Sequence, residues 1–100
     1  MRRGEVWAIK RAGREHLVVI VGHDTLTEAR TGVLSVPLSD VRASTLIEPA
    51  LWLDDDTPAG VALTPRVGEV TKDYFSECRG KLRDDSLSSL DIALRAALDL

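Results

Sequence analysis

The residues that could do chemistry cluster in Arg14-Glu15-His16, just ahead of the apolar run Leu17-Val18-Val19-Ile20-Val21, which Gly22-His23-Asp24 closes. Arg14 carries a fork of guanidinium donors suited to a phosphate. His16 carries the side chain that exchanges a proton most readily near neutrality, with a solution pKa of about 6.5. The bland reading of His16 is a strand-entry residue satisfied by a backbone carbonyl. His23 reads as a turn residue. Upstream lie more bases: residues 1–14 hold Arg2, Arg3, Lys10, Arg11 and Arg14 against Glu5 alone, whereas residues 15–100 carry a net charge of −7. The whole chain is at −3, which argues against nucleic acid, but a basic segment on an acidic body can still form a local phosphate-binding patch. The alternative is a solvated basic edge.

These residues need a scaffold, and the apolar run supplies it. Four of its five residues are β-branched, so it reads as a strand buried on both faces. Val6, Trp7 and Ile9 indicate a strand before it, and Arg11 to Glu15 a tight turn in which Gly13 takes a positive φ. Asp24 to Gly32 is a polar connection with one helical turn capped by Asp24 or Thr25. Val33 to Asp40 forms a third strand. Pro37 lacks an N–H and marks where this strand leaves its ladder. His16 opens the second strand and Ser39 follows that proline. Antiparallel pairing of the two strands brings a ring, a hydroxyl and the Arg11–Arg14 guanidinium groups to one end of the sheet.

The remainder is read more coarsely. Val41 to Glu48 is a loop, and Ala50-Leu51-Trp52-Leu53 a fourth strand ended by Asp54-Asp55-Asp56, a solvated acidic turn. Val61–Thr64 and Val67–Val70 form a fifth strand broken at Pro65. Asp73 to Gly80 is ambiguous. Asp85 or Ser86 caps a closing helix whose Leu87, Leu90, Leu94, Ala97 and Leu98 share one stripe, with Asp91 and Arg95 paired four apart opposite it. One hundred residues, 44% of them apolar, make one domain over 1–100 with enough apolar mass for a core. The fold class is mainly β: a small, bent antiparallel barrel with a C-terminal α-helix. No apolar run spans a membrane, and Met1 to Glu5 does not read as a signal peptide. The single cysteine, Cys78, makes no internal disulfide and suits a reducing cytoplasm.

Arg3-Gly4-Glu5-Val6-Trp7, the Leu-Val-Val-Ile-Val strand ending near Asp24, Val36-Pro37-Leu38-Ser39, Gly60-Val61-Ala62-Leu63, the Gly68-Glu69-Val70 unit and the closing Leu94-Arg95-Ala96-Ala97-Leu98 resemble, in order and spacing, the MazF/PemK toxins. The resemblance implies an SH3-like barrel, a cytoplasmic homodimer, and metal-independent, sequence-specific cleavage of single-stranded mRNA with no cofactor. It also implies an antitoxin protein that covers the RNA groove. The family's catalytic pair is an arginine, in an Arg-Pro pair before the second strand, and a threonine after the third strand's Val-Pro. Here His16-Leu17 stands at the Arg-Pro place, Arg14 lies two residues upstream, and Ser39 takes the threonine position. Lys10 to Arg14 replaces the family's long first loop, and Arg66 falls near a polar glutamine position.

Cleavage through a 2′-hydroxyl needs a group to take its proton, a group to protonate the departing 5′-oxygen, and donors for the charge on the phosphoryl oxygens. Candidates are His16 for proton transfer, Arg14 for the phosphate and Ser39 for a hydrogen bond, with Lys10, Arg11 and Arg66 binding RNA. Two other functions compete: a toxin of the CcdB branch that blocks a protein target such as DNA gyrase, and a degenerate relative that only binds. The aromatic tail that marks the CcdB branch is missing from Ala97-Leu98-Asp99-Leu100.

Overall fold

Residues 1–100 are described by a computed structural model. In chain order they form β1 (Glu5–Arg11), β2 (Arg14–Ile20), α1 (Asp24–Ala29), β3 (Gly32–Ser39), β4 (Ala50–Trp52), β5 (Pro58–Ala62), β6 (Gly68–Thr71), β7 (Phe75–Lys81) and α2 (Asp84–Leu98). The β1–β2 hairpin turns on two residues, Ala12 and Gly13, at φ 51° and 75°. Positive φ at both places is what a tight turn matching the strands' right-handed twist requires. Antiparallel pairing then runs β4-β5-β3-β2-β1-β7, with β6 also on β3. The curled sheet is a half-barrel whose two outer strands touch at one bridge, Leu53 to Leu82.

Strand β3 exchanges neighbours along its length. Its first half, Gly32–Ser35, pairs with β6, and its end, Leu38–Ser39, pairs with β5. Between them, Pro37 stays in register with Val18 of β2. The proline therefore does not end the strand: it sits where one neighbour is exchanged for another, and its carbonyl accepts from Leu63 N at 2.9 Å. The expected broken fifth strand is two strands, β5 and β6, separated by a 3₁₀ turn at Thr64–Arg66. The ambiguous stretch before Gly80 is β7, an edge strand with little buried surface and hence no alternation to read.

Buried Val18, Val19 and Ile20 match the both-face burial expected of β2. Val19 joins Val6, Val36, Leu51, Leu53, Ala62, Leu82 and Leu90 in the main core, where α2 covers the sheet. Helix α2 starts at Asp84, earlier than expected, after an N-cap residue, Arg83, whose side chain makes no capping bond to the helix backbone. Ser86 caps nothing; its Oγ accepts from Trp52 N at 2.9 Å and ties the helix to β4. Asp91 pairs with Arg3 rather than with Arg95. Helix α1 is capped by His23, whose Nδ1 accepts from Thr25 N at 3.2 Å, so that imidazole is spent on structure. No helix is long and apolar enough to cross a membrane.

Candidate active site

The basic N-terminal segment is divided. Arg2 pairs with Asp24 and Arg3 with Asp91, at the start of β1. Lys10, Arg11 and Arg14 lie at the far end of a seven-residue strand, about 20 Å away at the usual strand rise. In the hairpin, Arg11 stands opposite Arg14, Lys10 opposite Glu15, and Ile9 opposite His16. Lys10, Arg11, Arg14 and Arg66 make no ion pair within the chain, whereas Arg30, Arg42, Arg79 and Arg83 all do. Lys72, Lys81 and Arg95 are unpaired too, but the hairpin end gathers three uncompensated cations, Lys10, Arg11 and Arg14, within five residues. Arg79 binds both Glu15 and Glu77, so those two carboxylates carry a cation of their own.

Three hollows surround it. Arg11 and Arg66 line one of about 190 Å³ with Val18, Pro37 and Gly68. The Arg11 guanidinium lies 5.0 Å from the Tyr74 ring centre, which orients it without neutralising it. Glu69 also lines this hollow, but its carboxylate accepts from Arg30 at 2.9 Å. His16 lines a second hollow of about 170 Å³ with Glu15, Leu38 and Asp40. Ser39 lines a third of about 290 Å³ with Asp40, Arg42 and Trp52. The second and third share Leu17, Asp40 and Ala59, so they adjoin. The β2–β3 ladder ends at Val18 opposite Pro37; two residues further along each strand stand His16 and Ser39. Both thus belong to one end of the sheet. Arg14 lines none of the three hollows.

Ser39 has a local duty as well. Its Oγ accepts from Val41 N at 3.3 Å and from Arg42 N at 3.2 Å, pinning the loop that follows β3. With its lone pairs engaged, what the hydroxyl can offer a ligand is its hydrogen, and accepting two bonds polarises it as a donor. Gly60 of β5 lies against this residue: a Cβ there would come within 2.9 Å of the Ser39 carbonyl oxygen, at a φ of +121°. A glycine is therefore what lets β5 close on the end of β3.

Sequence reasoning missed Asp40, Arg42 and Trp52. Arg42 donates to Glu48 at 3.0 Å. Asp40 makes neither an ion pair nor a side-chain hydrogen bond. Only the short step from Ser39 pointed to Asp40 and Arg42, and Trp52 reaches the site through the long-range pairing of β4 with β5. The clear pKa perturbations lie beyond Trp52. A hydrogen bond from Arg83 holds Asp85 below the ordinary carboxylate range, a bond within the Asp54–Asp56 turn from Thr57 lowers Asp55, and Arg83 is raised by Asp85 and Asp56. No group of three His, Cys, Asp or Glu side chains is gathered as a metal site would need.

No protein-family model matches the chain, and no curated protein matches it. Solved structures do. An endoribonuclease from a mycobacterial species, in complex with its cognate antitoxin, superposes at a TM-score of 0.89 with 20% identity, over 100% of this chain and 96% of that one. A MazE–MazF complex from Deinococcus radiodurans gives 0.84 with 13% identity, over 100% and 96%. The Mycobacterium tuberculosis toxin MazF-mt6 gives 0.78 with 16% identity, over 96% and 97%. Likeness at this level of identity speaks to architecture, and with the curled sheet and closing helix described above it establishes that this chain has the MazF-like toxin fold.

Proposed function

We propose that the protein is the toxin of a toxin–antitoxin pair: a homodimeric, metal-independent endoribonuclease that cuts single-stranded mRNA and is silenced by an antitoxin protein. The observation that carries this reading is the placement of His16 and Ser39 at one end of β2 and β3, beside arginines that have no carboxylate partner in the chain. In this reading the 2′-hydroxyl loses its proton to His16 and its oxygen bonds to phosphorus. The phosphorus–5′-oxygen bond then breaks, the 5′-oxygen takes a proton from water, and the hydroxide so formed takes the proton from the His16 imidazolium, which restores the neutral ring. The products are a 2′,3′-cyclic phosphate and a 5′-hydroxyl. Ser39 donates its hydrogen to a phosphoryl oxygen, Arg14 steadies the phosphate, and Lys10, Arg11 and Arg66 hold the strand on either side.

One observation favours a second reading, a toxin or degenerate relative that binds a protein target without cutting RNA. The two-residue turn Ala12–Gly13 stands where the MazF/PemK pattern has a long loop, so the site is left uncovered. Cleavage assays on His16→Ala and Arg14→Ala test the assignment. Loss of His16 should slow cleavage by about 10²–10⁴-fold, the usual size of a general acid–base effect, while loss of Arg14 should weaken binding and turnover together. The reverse ranking would give Arg14 the central role. Three variants, with Ser39→Ala the third, that still stop growth when expressed would move the binding reading ahead.

A further inference from the structure

We propose that the hollow between β4, β5 and the end of β3 is a subsite for one unpaired RNA base that carries an amino group, stacked on Trp52 and read by Asp40, with Arg42 on its phosphate. This rests on the RNA-cleavage reading and extends it to a specificity site. The hollow of about 290 Å³ adjoins the one that His16 lines, so a base seated there belongs to a nucleotide next to the scissile bond. Its lining combines three things that a base needs: an indole face, a carboxylate and a guanidinium.

The backbone that carries the indole is fixed before any ligand arrives. Trp52 N donates to Ser86 Oγ at 2.9 Å, and its carbonyl accepts from Arg83 N at 3.0 Å. The Arg83 guanidinium sits 5.3 Å from the ring centre and is itself held by Asp56 and Asp85. Arg83 does not itself line the hollow. An aromatic side chain so held, and still 36% exposed, is a stacking platform that pays no ordering cost on binding.

Asp40 supplies selectivity. An ionised carboxylate only accepts, so it favours a base edge bearing an amino group, as in adenine, cytosine and guanine, over uracil, whose one donor, N3–H, is flanked by two carbonyl oxygens that repel the carboxylate. It has no competing partner in the chain. Arg42 is held by Glu48 at 3.0 Å in an exposed ion pair, the kind that contributes little and exchanges readily for a phosphate. The loop carrying it is fastened at both ends, by Ser39 Oγ at one and by Thr64 Oγ1 donating to Ile47 O at 2.6 Å at the other.

The test is binding of short RNAs made uncleavable by 2′-O-methyl groups, read by fluorescence anisotropy alongside thermal melting. Trp52→Ala should weaken binding roughly 5- to 150-fold, the range of one base–aromatic stack, and Trp52→Phe should recover most of it. An abasic residue at the subsite should erase the difference between wild type and Trp52→Ala. Asp40→Asn should lose the preference for an amino-bearing base over uracil. Where Trp52→Ala does not fold, the Asp40→Asn comparison and the drop in wild-type affinity from intact to abasic RNA carry the test. Wild type that binds and cuts RNA while Trp52→Ala and Asp40→Asn match it in affinity and base preference overturns the subsite alone. Wild type that neither binds nor cuts RNA overturns the cleavage reading and the subsite with it. A Trp52→Ala variant that loses an antitoxin peptide but not RNA makes the hollow an antitoxin seat and overturns the proposal.

Discussion

Removing the Ser39 hydroxyl separates its two duties. In Ser39→Ala the amides of Val41 and Arg42 lose their acceptor, at 3.3 and 3.2 Å. Both residues are exposed, so water replaces the lost oxygen, and the stability cost stays near that of one ordinary hydrogen bond, about 0.5–1.5 kcal/mol. For a chain of this size that is a fall in melting temperature of roughly 2–12 °C. The catalytic cost is separate. A hydrogen bond to a charged phosphoryl oxygen is worth roughly 1.5–3 kcal/mol, or about 10- to 150-fold in kcat/KM. Ser39→Thr keeps the hydroxyl and should retain cleavage. The assay is cleavage kinetics on a fluorogenic RNA at a temperature where all three proteins are folded. If Ser39→Ala melts lower but cleaves as wild type does, the hydroxyl only pins the loop and the reasoning is wrong. If Ser39→Thr is as damaged as Ser39→Ala, a steric effect rather than the donor is at work.

Other outcomes follow from the same geometry. Charge reversal at Arg11 and Arg14 should abolish most RNA affinity, and wild-type affinity should fall as salt rises because phosphate contacts release counterions; binding that ignores both changes places RNA elsewhere. Sedimentation at micromolar concentration should give about twice the 10.9 kDa monomer, because Ile92 and Leu98 of α2 stay exposed and Leu98 lines a groove with Val21, Leu34, Val67 and Leu94; a clean monomer contradicts the dimer. Arg83 holds the Asp85 carboxyl below the ordinary aspartate range in the folded state, so its contribution is present above that range and is lost as pH falls through the lowered folded-state value. Thermal melts from pH 5 to pH 2 should show an acid loss of stability that is smaller in Arg83→Gln, and equal slopes in the two proteins would refute that linkage.

The parts of the fold that rest on local chemistry were legible. The β1–β2 hairpin announced itself through Gly13 and two apolar runs, and α2 through its stripe. What depended on distant partners was not. Strand β7 is an exposed edge without alternation, so nothing in Phe75-Ser76-Glu77-Cys78-Arg79 marked it. Pro37 promised an interruption, yet a strand that changes partners uses the missing N–H without stopping. Charge counting joined Arg2 and Arg3 to the hairpin arginines, although the length of β1 separates them and acids on α1 and α2 neutralise them. Within the site, His16 and Ser39 could be set together from strand order alone. Arg42 and Trp52 could not, because one lies in a loop and the other arrives through the pairing of β4 with β5.

The most direct test of the account is to incubate the purified protein with a long single-stranded RNA in excess EDTA and map the ends. The account predicts cuts at a few defined positions, each downstream fragment beginning with a 5′-hydroxyl that accepts phosphate from a polynucleotide kinase, and a strong slowing in His16→Ala. Intact RNA at excess protein, or cuts that leave 5′-phosphates, would contradict it.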